Sequence, residues 1–494
     1  MLAAFLVVGS TTWIAWALDG WGQYQGDAQH TGAADGPAPP YRETWSFEVP
    51  TAGQGVSSTP SASPSASPTA GPRPNQQGLS APVIVDAPPL AVAVGPREVI
   101  AVDVETGESA WEVDRTYGPS ATPALAGDPE AAVVVYTQGS GVDDSSVMAL
   151  DPRDGEGAWD EPVSLKAVSR TGVTVEGQTA FMGDDRGNIY ALRASNGELL
   201  WSVRLPGRTL APLAVQGETV VATVAGSDPD LPIVTALDAA SGERMWQVDP
   251  EVLAAGATSG VIQGQTFALG FPDRAVHAFD LADGASRWTS RPFFSLPSPF
   301  GGGAAFEGDF VFVFFGDSTG DVRRLDGSTG ELVWDYPLNS PVLRSSPVVS
   351  GSAVVLGLRD GAIVALDGAS GEQLFRGAPA SGLIGPLAVT PRLIVAVRGG
   401  HEAGLVAFEH DPSGTIERVP SPSDPDPVAL VSSFVAATAV VLLILMLPSR
   451  LVAAKRGPAF EDEFDGARDG TDGDEDEDPT RSDDDGDDDD GDSR

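Results

Sequence analysis

One phrase recurs seven times along this chain of 494 residues. Each copy is a short apolar strand, ending in Asp in most copies, followed by a turn with Gly and then by an aromatic residue. The aromatic residues are spaced by 48, 42, 45, 42, 46 and 41 residues, and they are Trp111, Trp159, Trp201, Trp246, Trp288, Trp334 and Phe375. A period in the low forties with one supersecondary unit per repeat is typical of a β-propeller.

The fourth copy shows why the phrase predicts one blade of such a ring. Val234 to Leu237 alternates as a half-buried strand does, and Asp238 to Gly242 has the composition of a tight turn. Asp can bond its own turn amides, and Gly supplies the positive φ that the hairpin needs. The aromatic residue that follows is large enough to fill the wedge between two sheets. We therefore predict that Trp201, Trp246, Trp288 and Trp334 pack between blades and do not stack on a cofactor.

Eight inner strands are marked by a small residue or Pro before a short apolar run. They begin near Ser80, Ala121, Thr171, Ala211, Ser259, Gly303, Ser346 and Gly385. Only seven outer strands carry the repeat aromatic, so one outer strand is missing. Glu43 to Phe47, which contains Trp45, is the candidate for this eighth outer strand. The sequence predicts an all-β, eight-bladed propeller, with seven blades as the alternative. Thr44 to Glu48 would pair with the last strand near Leu405 to Phe408 and leave no open sheet edge.

The two ends of the chain predict a membrane tether. Residues 1–18 are apolar from Leu2 to Leu18 and fit either a cleaved signal or an N-terminal anchor. Val428 to Leu447 is an uncharged run long enough for a transmembrane helix. Arg450, Lys455 and Arg456 follow it, so the positive-inside rule places the C-terminus in the cytoplasm and the propeller outside. The chain has no Cys, which excludes a disulfide framework and any Cys metal site.

Composition divides the rest of the chain. We expect the propeller at 21–410 with a disordered Ser/Pro/Ala-rich insert at 51–74, a Pro-rich stalk at 411–427, and an acidic disordered tail at 448–494. Glu461 to Arg494 holds 19 Asp or Glu against 3 Arg, a net of −16 within a total of −41. A solvating tail is the favoured interpretation, and a docking site for a basic cytosolic partner is the alternative. The rest of the chain has a net charge of −25, which argues against nucleic-acid binding.

The repeats resemble the pyrroloquinoline-quinone-like β-propeller family. The resemblance rests on the repeat unit, as in Gly183 to Leu192, and on Trp21 to Asp27 with His30-Thr31-Gly32, which is similar to the family's lead-in to the first outer strand. It covers about Trp21 to Phe408. The family implies two functions: quinoprotein dehydrogenases that hold the quinone and a calcium ion in the ring, and cofactor-free scaffolds such as the propeller lipoprotein of outer-membrane barrel assembly.

No catalytic set is superimposed on the repeats. The candidate calcium ligands Asp184, Asp185, Asp317 and Asp360 lie in repeat hairpins, where turn chemistry already explains them. The four histidines, His30, His277, His401 and His410, lack metal-ligand spacing and are expected to be solvated. The sequence favours a non-enzymatic scaffold or sensor that binds an envelope protein, peptide or polymer. The alternative is a membrane dehydrogenase that uses pyrroloquinoline quinone with calcium to oxidise an alcohol or a sugar.

Overall fold

The computed structural model describes residues 21–49 and 78–419, except 129–130, 210, 226–233, 250–258, 272, 274, 291–301, 316–319, 339–345, 378–381, 401–402 and 417. The predicted insert 51–74, the apolar segments 1–18 and 428–447 and the acidic tail lie outside this range. Among the described residues, no helix has the length and apolar character needed to cross a membrane. Their regular structure is entirely β.

In the described residues thirty-four strands form eight sheets, which are the eight blades of a propeller. Two strands precede the blades: β1 (Ala33–Ala34) and β2 (Tyr41–Glu48). Blade 1 contains β3 (Val83–Val85), β4 (Leu90–Val94), β5 (Glu98–Asp103) and β6 (Ser109–Asp114). Blade 2 contains β7 (Ala124–Ala126), β8 (Val133–Gln138), β9 (Ser146–Leu150) and β10 (Val163–Ser164). Blade 3 contains β11 (Val173–Glu176), β12 (Thr179–Gly183), β13 (Asn188–Arg193) and β14 (Leu199–Arg204).

Blade 4 contains β15 (Arg208–Thr209), β16 (Ala214–Gln216), β17 (Thr219–Ala225), β18 (Val234–Asp238) and β19 (Arg244–Val248). Blade 5 contains β20 (Val261–Gln263), β21 (Thr266–Gly270), β22 (Val276–Asp280) and β23 (Ser286–Thr289). Blade 6 contains β24 (Gly303–Phe306), β25 (Asp309–Phe315), β26 (Gly320–Leu325) and β27 (Leu332–Pro337). Blade 7 contains β28 (Val348–Ser350), β29 (Ala353–Gly357), β30 (Ile363–Asp367) and β31 (Gln373–Gly377), and blade 8 contains β32 (Leu383–Val389), β33 (Leu393–Gly399) and β34 (Gly404–His410).

The ring closes as the sequence predicted. Strand β2 pairs antiparallel with β34, with Trp45 opposite Ala407 and Phe47 opposite Leu405, and so supplies the outer strand of blade 8. A single buried cluster then joins blades 7, 8 and 1, with Trp45, Ile100 and Phe408 among its members. The prediction of eight blades is confirmed, and all eight inner strands begin near the predicted residues.

The repeat tryptophans join each blade to the next. Seven indole Nε1–H groups donate to backbone carbonyls on the following blade at 2.8–3.1 Å, and the pairs are Trp45–Val104, Trp111–Pro152, Trp159–Ala194, Trp201–Ala239, Trp246–Leu281, Trp288–Gly327 and Trp334–Gly368. Blade 7 carries Phe375 at this position, and its ring makes an edge contact with Tyr41, 5.5 Å between centroids. The structure therefore places the repeat aromatics where inter-blade packing requires them.

The turn glycines have a steric reason to be glycine. The seven glycines Gly107, Gly155, Gly197, Gly242, Gly284, Gly330 and Gly371 all have φ between 71° and 76°. A Cβ on any of them would lie closer than 3 Å to an atom of the tryptophan from the preceding blade. Each indole therefore contacts the backbone of the turn on the next blade directly. This one contact explains both the turn glycine and the aromatic residue of the repeated phrase.

Candidate functional site

Residues 21–34, which we name the crossing segment, run past the inner strands of the ring from blade to blade. This crossing segment accepts backbone N–H bonds from the inner strands in the order of the blades, and the pairs are Ile84–Trp21, Leu125–Gly22, Val215–Ala28, Ile262–Gln29, Ala305–Thr31 and Val349–Gly32, at 2.6–2.8 Å. Blade 3 is reached by a side chain, because the Gln23 amide donates to the Val175 carbonyl at 3.0 Å and accepts from the Val175 N–H at 2.7 Å. The segment thus occupies the free inner edges of seven blades.

Tyr24 and His30 form the polar centre of the crossing segment. The Tyr24 hydroxyl is hydrogen-bonded to the hydroxyls of Ser259, at 2.8 Å, and Ser346, at 2.6 Å, and so links blades 5 and 7. The His30 ring meets the Tyr24 ring edge-on at 5.1 Å between centroids, and its Nδ1 lies 3.1 Å from the Gly260 carbonyl. Both groups are neutral near pH 7, because burial raises the pKa of Tyr24 and lowers the pKa of His30 to about 4.

The expectation that His30 is solvated is wrong. Its side chain is 1% exposed, and its backbone has φ of 60°, in the left-handed region that L-residues adopt at a cost. The strain is held by the hydrogen bonds that the crossing segment makes to the blades on either side. Of the other histidines, His277 lies 2.7 Å from an Asp273 carboxylate oxygen, His410 lies 2.9 Å from the Ala38 carbonyl, and His401 is outside the described residues.

The candidate calcium ligands do not come together. Asp184 is buried in blade 3, where its carboxylate accepts from the Arg186 and Asn188 N–H groups, the Asn188 amide and the Tyr190 hydroxyl. Asp185 pairs with Arg170, and Asp360 lies four blades away, paired with Arg376 at 3.0 Å. Asp317 is outside the described residues. Within the described part of the chain, no group of three His, Cys, Asp or Glu side chains could hold a metal ion, so Asp184, Asp185 and Asp360 do not form a calcium site together.

A cluster of exposed basic side chains lies on blade 3 and on its connections to blades 2 and 4, in a chain whose net charge is −41. Three segments are joined there: the Asp185 N–H donates to the Val168 carbonyl at 2.9 Å, and the Leu205 N–H donates to the Gly187 carbonyl at 2.8 Å. Together they carry five exposed basic residues, which we name the blade 3 basic surface: Lys166, Arg170, Arg186, Arg204 and Arg208. This surface lies at the end of the ring where second strands turn into third strands.

Little negative charge offsets the blade 3 basic surface locally. Arg170 pairs with Asp185 at 2.8 Å, while the other four basic side chains make no ion pair with any described residue. The Asp184 carboxylate beneath them is 1% exposed and is fully used by the turn that it holds. The arrangement can therefore bind carboxylate or other anionic groups from solution.

The opposite end of the ring is acidic. There the turns between third and fourth strands of blades 1, 2, 4, 5, 6 and 7 begin with an Asp whose Oδ1 accepts hydrogen bonds from the turn itself, as Asp238 does from the Ser241 N–H at 2.8 Å. Hydrogen bonds from Ser328 and Thr329 lower the pKa of Asp326 to about 2. These acidic turns therefore lie at the end of the ring opposite to the blade 3 basic surface.

Comparison with known proteins identifies the family. A family model described as outer membrane protein assembly factor BamB matches residues 72–170, 143–295 and 273–415, which is well over half of the chain. The chain belongs to this family. Outer membrane protein assembly factor BamB of Burkholderia pseudomallei is 26% identical over 276 residues, covering 52% of this chain and 66% of the relative. The chain thus spans just under two thirds of that relative's length.

Solved structures show the same fold. BamB from Moraxella catarrhalis superposes with a TM-score of 0.52 at 17% identity, covering 75% of this chain and all of that one. Quinohemoprotein alcohol dehydrogenase from Comamonas testosteroni superposes with a TM-score of 0.58 at 14% identity, covering 82% of each chain. Both likenesses concern the fold alone, and they do not separate a scaffold from an enzyme.

Proposed function

We propose that this BamB-family propeller is a non-enzymatic scaffold of the cell envelope, which binds an acidic segment of another envelope protein on the blade 3 basic surface. The family supports an envelope role, because its relatives are named as outer membrane protein assembly factors. The crossing segment occupies the inner edges of seven blades, which favours binding on a face of the ring over binding at its centre. A ring with a local basic surface of this kind suits docking better than catalysis.

The single observation that carries this proposal is the exposure of four basic side chains without ion-pair partners among the described residues. Arg186 stands on the turn between the second and third strands, and Arg204 and Arg208 flank the connection to blade 4. Guanidinium groups bind carboxylates in a bidentate manner, and a local positive patch also increases the rate of association with an acidic partner. Such binding weakens as salt is raised.

The test is charge reversal with a matched control. A photo-crosslinking residue is placed at Pro206, which is exposed between Arg204 and Arg208, in otherwise native protein and in the Arg186→Glu/Arg208→Glu variant. We expect a discrete crosslink to an envelope protein in the first and its loss in the second. The control is Arg359→Glu, an exposed arginine on the corresponding turn of blade 7.

The control should retain the crosslink, and melting temperatures should be equal in all three proteins because the substituted side chains are exposed. A crosslink that survives the double reversal would exclude the blade 3 basic surface as the docking site. Loss of the crosslink in the Arg359→Glu control would show that net charge, and not this surface, determines binding.

We also propose that the propeller is extracytoplasmic, with Val428 to Leu447 as the membrane span, a stalk before it and the acidic tail in the cytoplasm. The uncharged run and the basic residues after it support this topology. Protease added to intact cells should cut the insert at 51–74 and spare the tail. Protection of the propeller together with loss of the tail would reverse the orientation. Mass spectrometry of the mature N-terminus distinguishes a cleaved signal from an anchor at 1–18.

A quinone-dependent alcohol or sugar dehydrogenase is the second candidate. It is favoured by one observation: a stretch of 168 residues is 28% identical to quinohemoprotein alcohol dehydrogenase ADH IIB of Pseudomonas putida, although this covers 23% of that enzyme. The purified protein is incubated with pyrroloquinoline quinone and calcium and assayed with an artificial electron acceptor. Stoichiometric quinone binding with turnover of an alcohol or a sugar would replace the scaffold proposal.

A further inference from the structure

After the last blade the chain returns to the outer edge of blade 7. Gln373, the first residue of β31, and Val419 exchange two backbone hydrogen bonds, at 2.9 and 3.0 Å, as neighbours on antiparallel strands do. The Arg418 guanidinium beside them donates to a Glu372 carboxylate oxygen at 2.9 Å and to an Asp367 oxygen at 3.4 Å. Residues 418–419 on blade 7 are thus an example, within this protein, of an extended segment bound at the outer edge of a blade.

The two carboxylate oxygens of Asp367 at that edge have different partners: one bonds to the turn and the other to the bound segment. Asp367 Oδ1 accepts from the Ala369 and Ser370 N–H groups and holds the turn, while Asp367 Oδ2 accepts from Arg418. The edge therefore combines backbone pairing with a place for one basic side chain.

The outer edge of blade 6 has an equivalent pair of acidic residues, Asp326 and Glu331. Asp326 Oδ1 accepts from the Ser328 and Thr329 N–H groups, and among the described residues nothing donates to Asp326 Oδ2. Glu331 is exposed and makes no ion pair within the described part of the chain, so it matches Glu372 but lacks its arginine. The following residues Leu332 and Val333, the first two of β27, are 49% and 47% exposed. Two neighbouring exposed aliphatic side chains on an open strand form a surface that a further strand can cover.

Other blades lack part of this combination. On blades 2 and 5 the turn aspartates pair with arginines of their own blade, Arg153 and Arg287. Blade 1 has Asp103 and Glu108, but small residues follow them: Ser109 and Ala110. Of blades 1, 2, 5 and 6, blade 6 alone presents carboxylates without an ion pair among the described residues together with exposed aliphatic side chains.

We propose that the outer edge of blade 6 binds an extended basic segment of a partner protein by strand addition. An arginine or lysine of the segment lies between Asp326 and Glu331, and a neighbouring β-branched residue covers Leu332 and Val333. Binding extends over the first half of β27, because Pro337 at its far end has no N–H to donate. The site differs from the blade 3 basic surface in place and in charge, so neither proposal depends on the other.

The probe is a capped, fluorescently labelled peptide of residues 415–421 carrying Glu417→Gln, which keeps one positive charge at Arg418. Its binding to the full-length protein is measured by anisotropy at low ionic strength, and hydrogen exchange locates the contact. The Asp326→Asn/Glu331→Gln variant should bind about fivefold more weakly, as expected for two exposed ion pairs. Asn at 326 retains the oxygen that holds the turn. The matched control is Asp103→Asn/Glu108→Gln on blade 1, which should bind as the native protein does.

We expect the bound peptide to slow exchange of backbone amides in Leu332 to Asp335 and a peptide with Arg418→Gln to bind more weakly. Equal affinity of the native protein and the blade 6 variant would overturn the proposal. So would protection confined to Gln373, because the peptide would then have replaced residues 418–419 on blade 7. Failure of the blade 3 crosslink would leave these results unaffected, so the two proposals fail separately.

Discussion

Replacing Gly284 by alanine should test whether the contact between indole and glycine holds neighbouring blades together. Gly284 lies in the last turn of blade 5 with φ of 73°, and its N–H donates to the Asp280 carbonyl at 2.9 Å. A Cβ at this position would lie 2.7 Å from Trp246 Cε3, 2.8 Å from Trp246 Cδ2 and 3.1 Å from Val248 Cγ1. The new methyl group must therefore displace the ring or the turn.

The same blade offers a matched control. Gly264 also has a left-handed backbone, with φ of 58°, but a Cβ there would meet nothing within 4 Å. Both substitutions carry the backbone strain of an L-residue in this region, about 1–2 kcal/mol. Only Gly284→Ala adds the overpacking of a close-packed interface, about 1–3 kcal/mol more. Trp246 cannot easily withdraw, because it is 8% exposed and its Nε1–H is bonded to the Leu281 carbonyl at 2.8 Å.

The free energy of unfolding is measured in urea by far-ultraviolet circular dichroism, which follows the loss of the β-sheets. We expect Gly284→Ala to lose about 1–3 kcal/mol more than Gly264→Ala. In a Trp246→Leu background the excess should shrink, since the two sites are coupled through one contact. Equal losses for the two alanine variants would refute the argument that the indole, and not the backbone alone, requires glycine here.

The ring was predictable because its signals are repeated and local. Strand, turn and aromatic residue recur seven times, so a departure in any one copy does not hide the period. Trp45 could be assigned to a blade far along the chain because it supplied the one outer strand that the count lacked, and its pairing with Ala407 confirms this. The turn role of Asp184 followed from the same local chemistry.

The candidate site was less predictable because its contacts are long-range and occur once. Gln23 binds Val175 across 152 residues, and Tyr24 binds Ser346 across 322. No period or spacing indicates such pairs, so the burial of His30 was missed. The blade 3 basic surface could have been predicted from the sequence. Arg170, Arg186 and Arg208 fall in three connections that the repeat places at one end of the ring.

Two further predictions concern single side chains. Trp288→Ala should lower the free energy of unfolding by about 3–5 kcal/mol, because it leaves a cavity between blades 5 and 6, and Trp288→Phe should lower it clearly less. Melting temperatures of the two variants check this. Equal losses would contradict a packing role. His30→Asn should flatten the dependence of stability on pH. Burial lowers the folded pKa of His30 to about 4, below the 6.5 of the unfolded chain, so its stabilising effect is complete above pH 6.5 and is lost as pH falls toward 4. At 1.36 kcal/mol per pKa unit the native protein should lose about 3 kcal/mol through this group. Asn suits the left-handed backbone and can donate to the Gly260 carbonyl in place of Nδ1. Urea midpoints between pH 7.5 and 4.5 should therefore fall less steeply for His30→Asn than for His410→Asn, a change at an exposed histidine; parallel slopes would mean that His30 is charged or solvated in the folded ring.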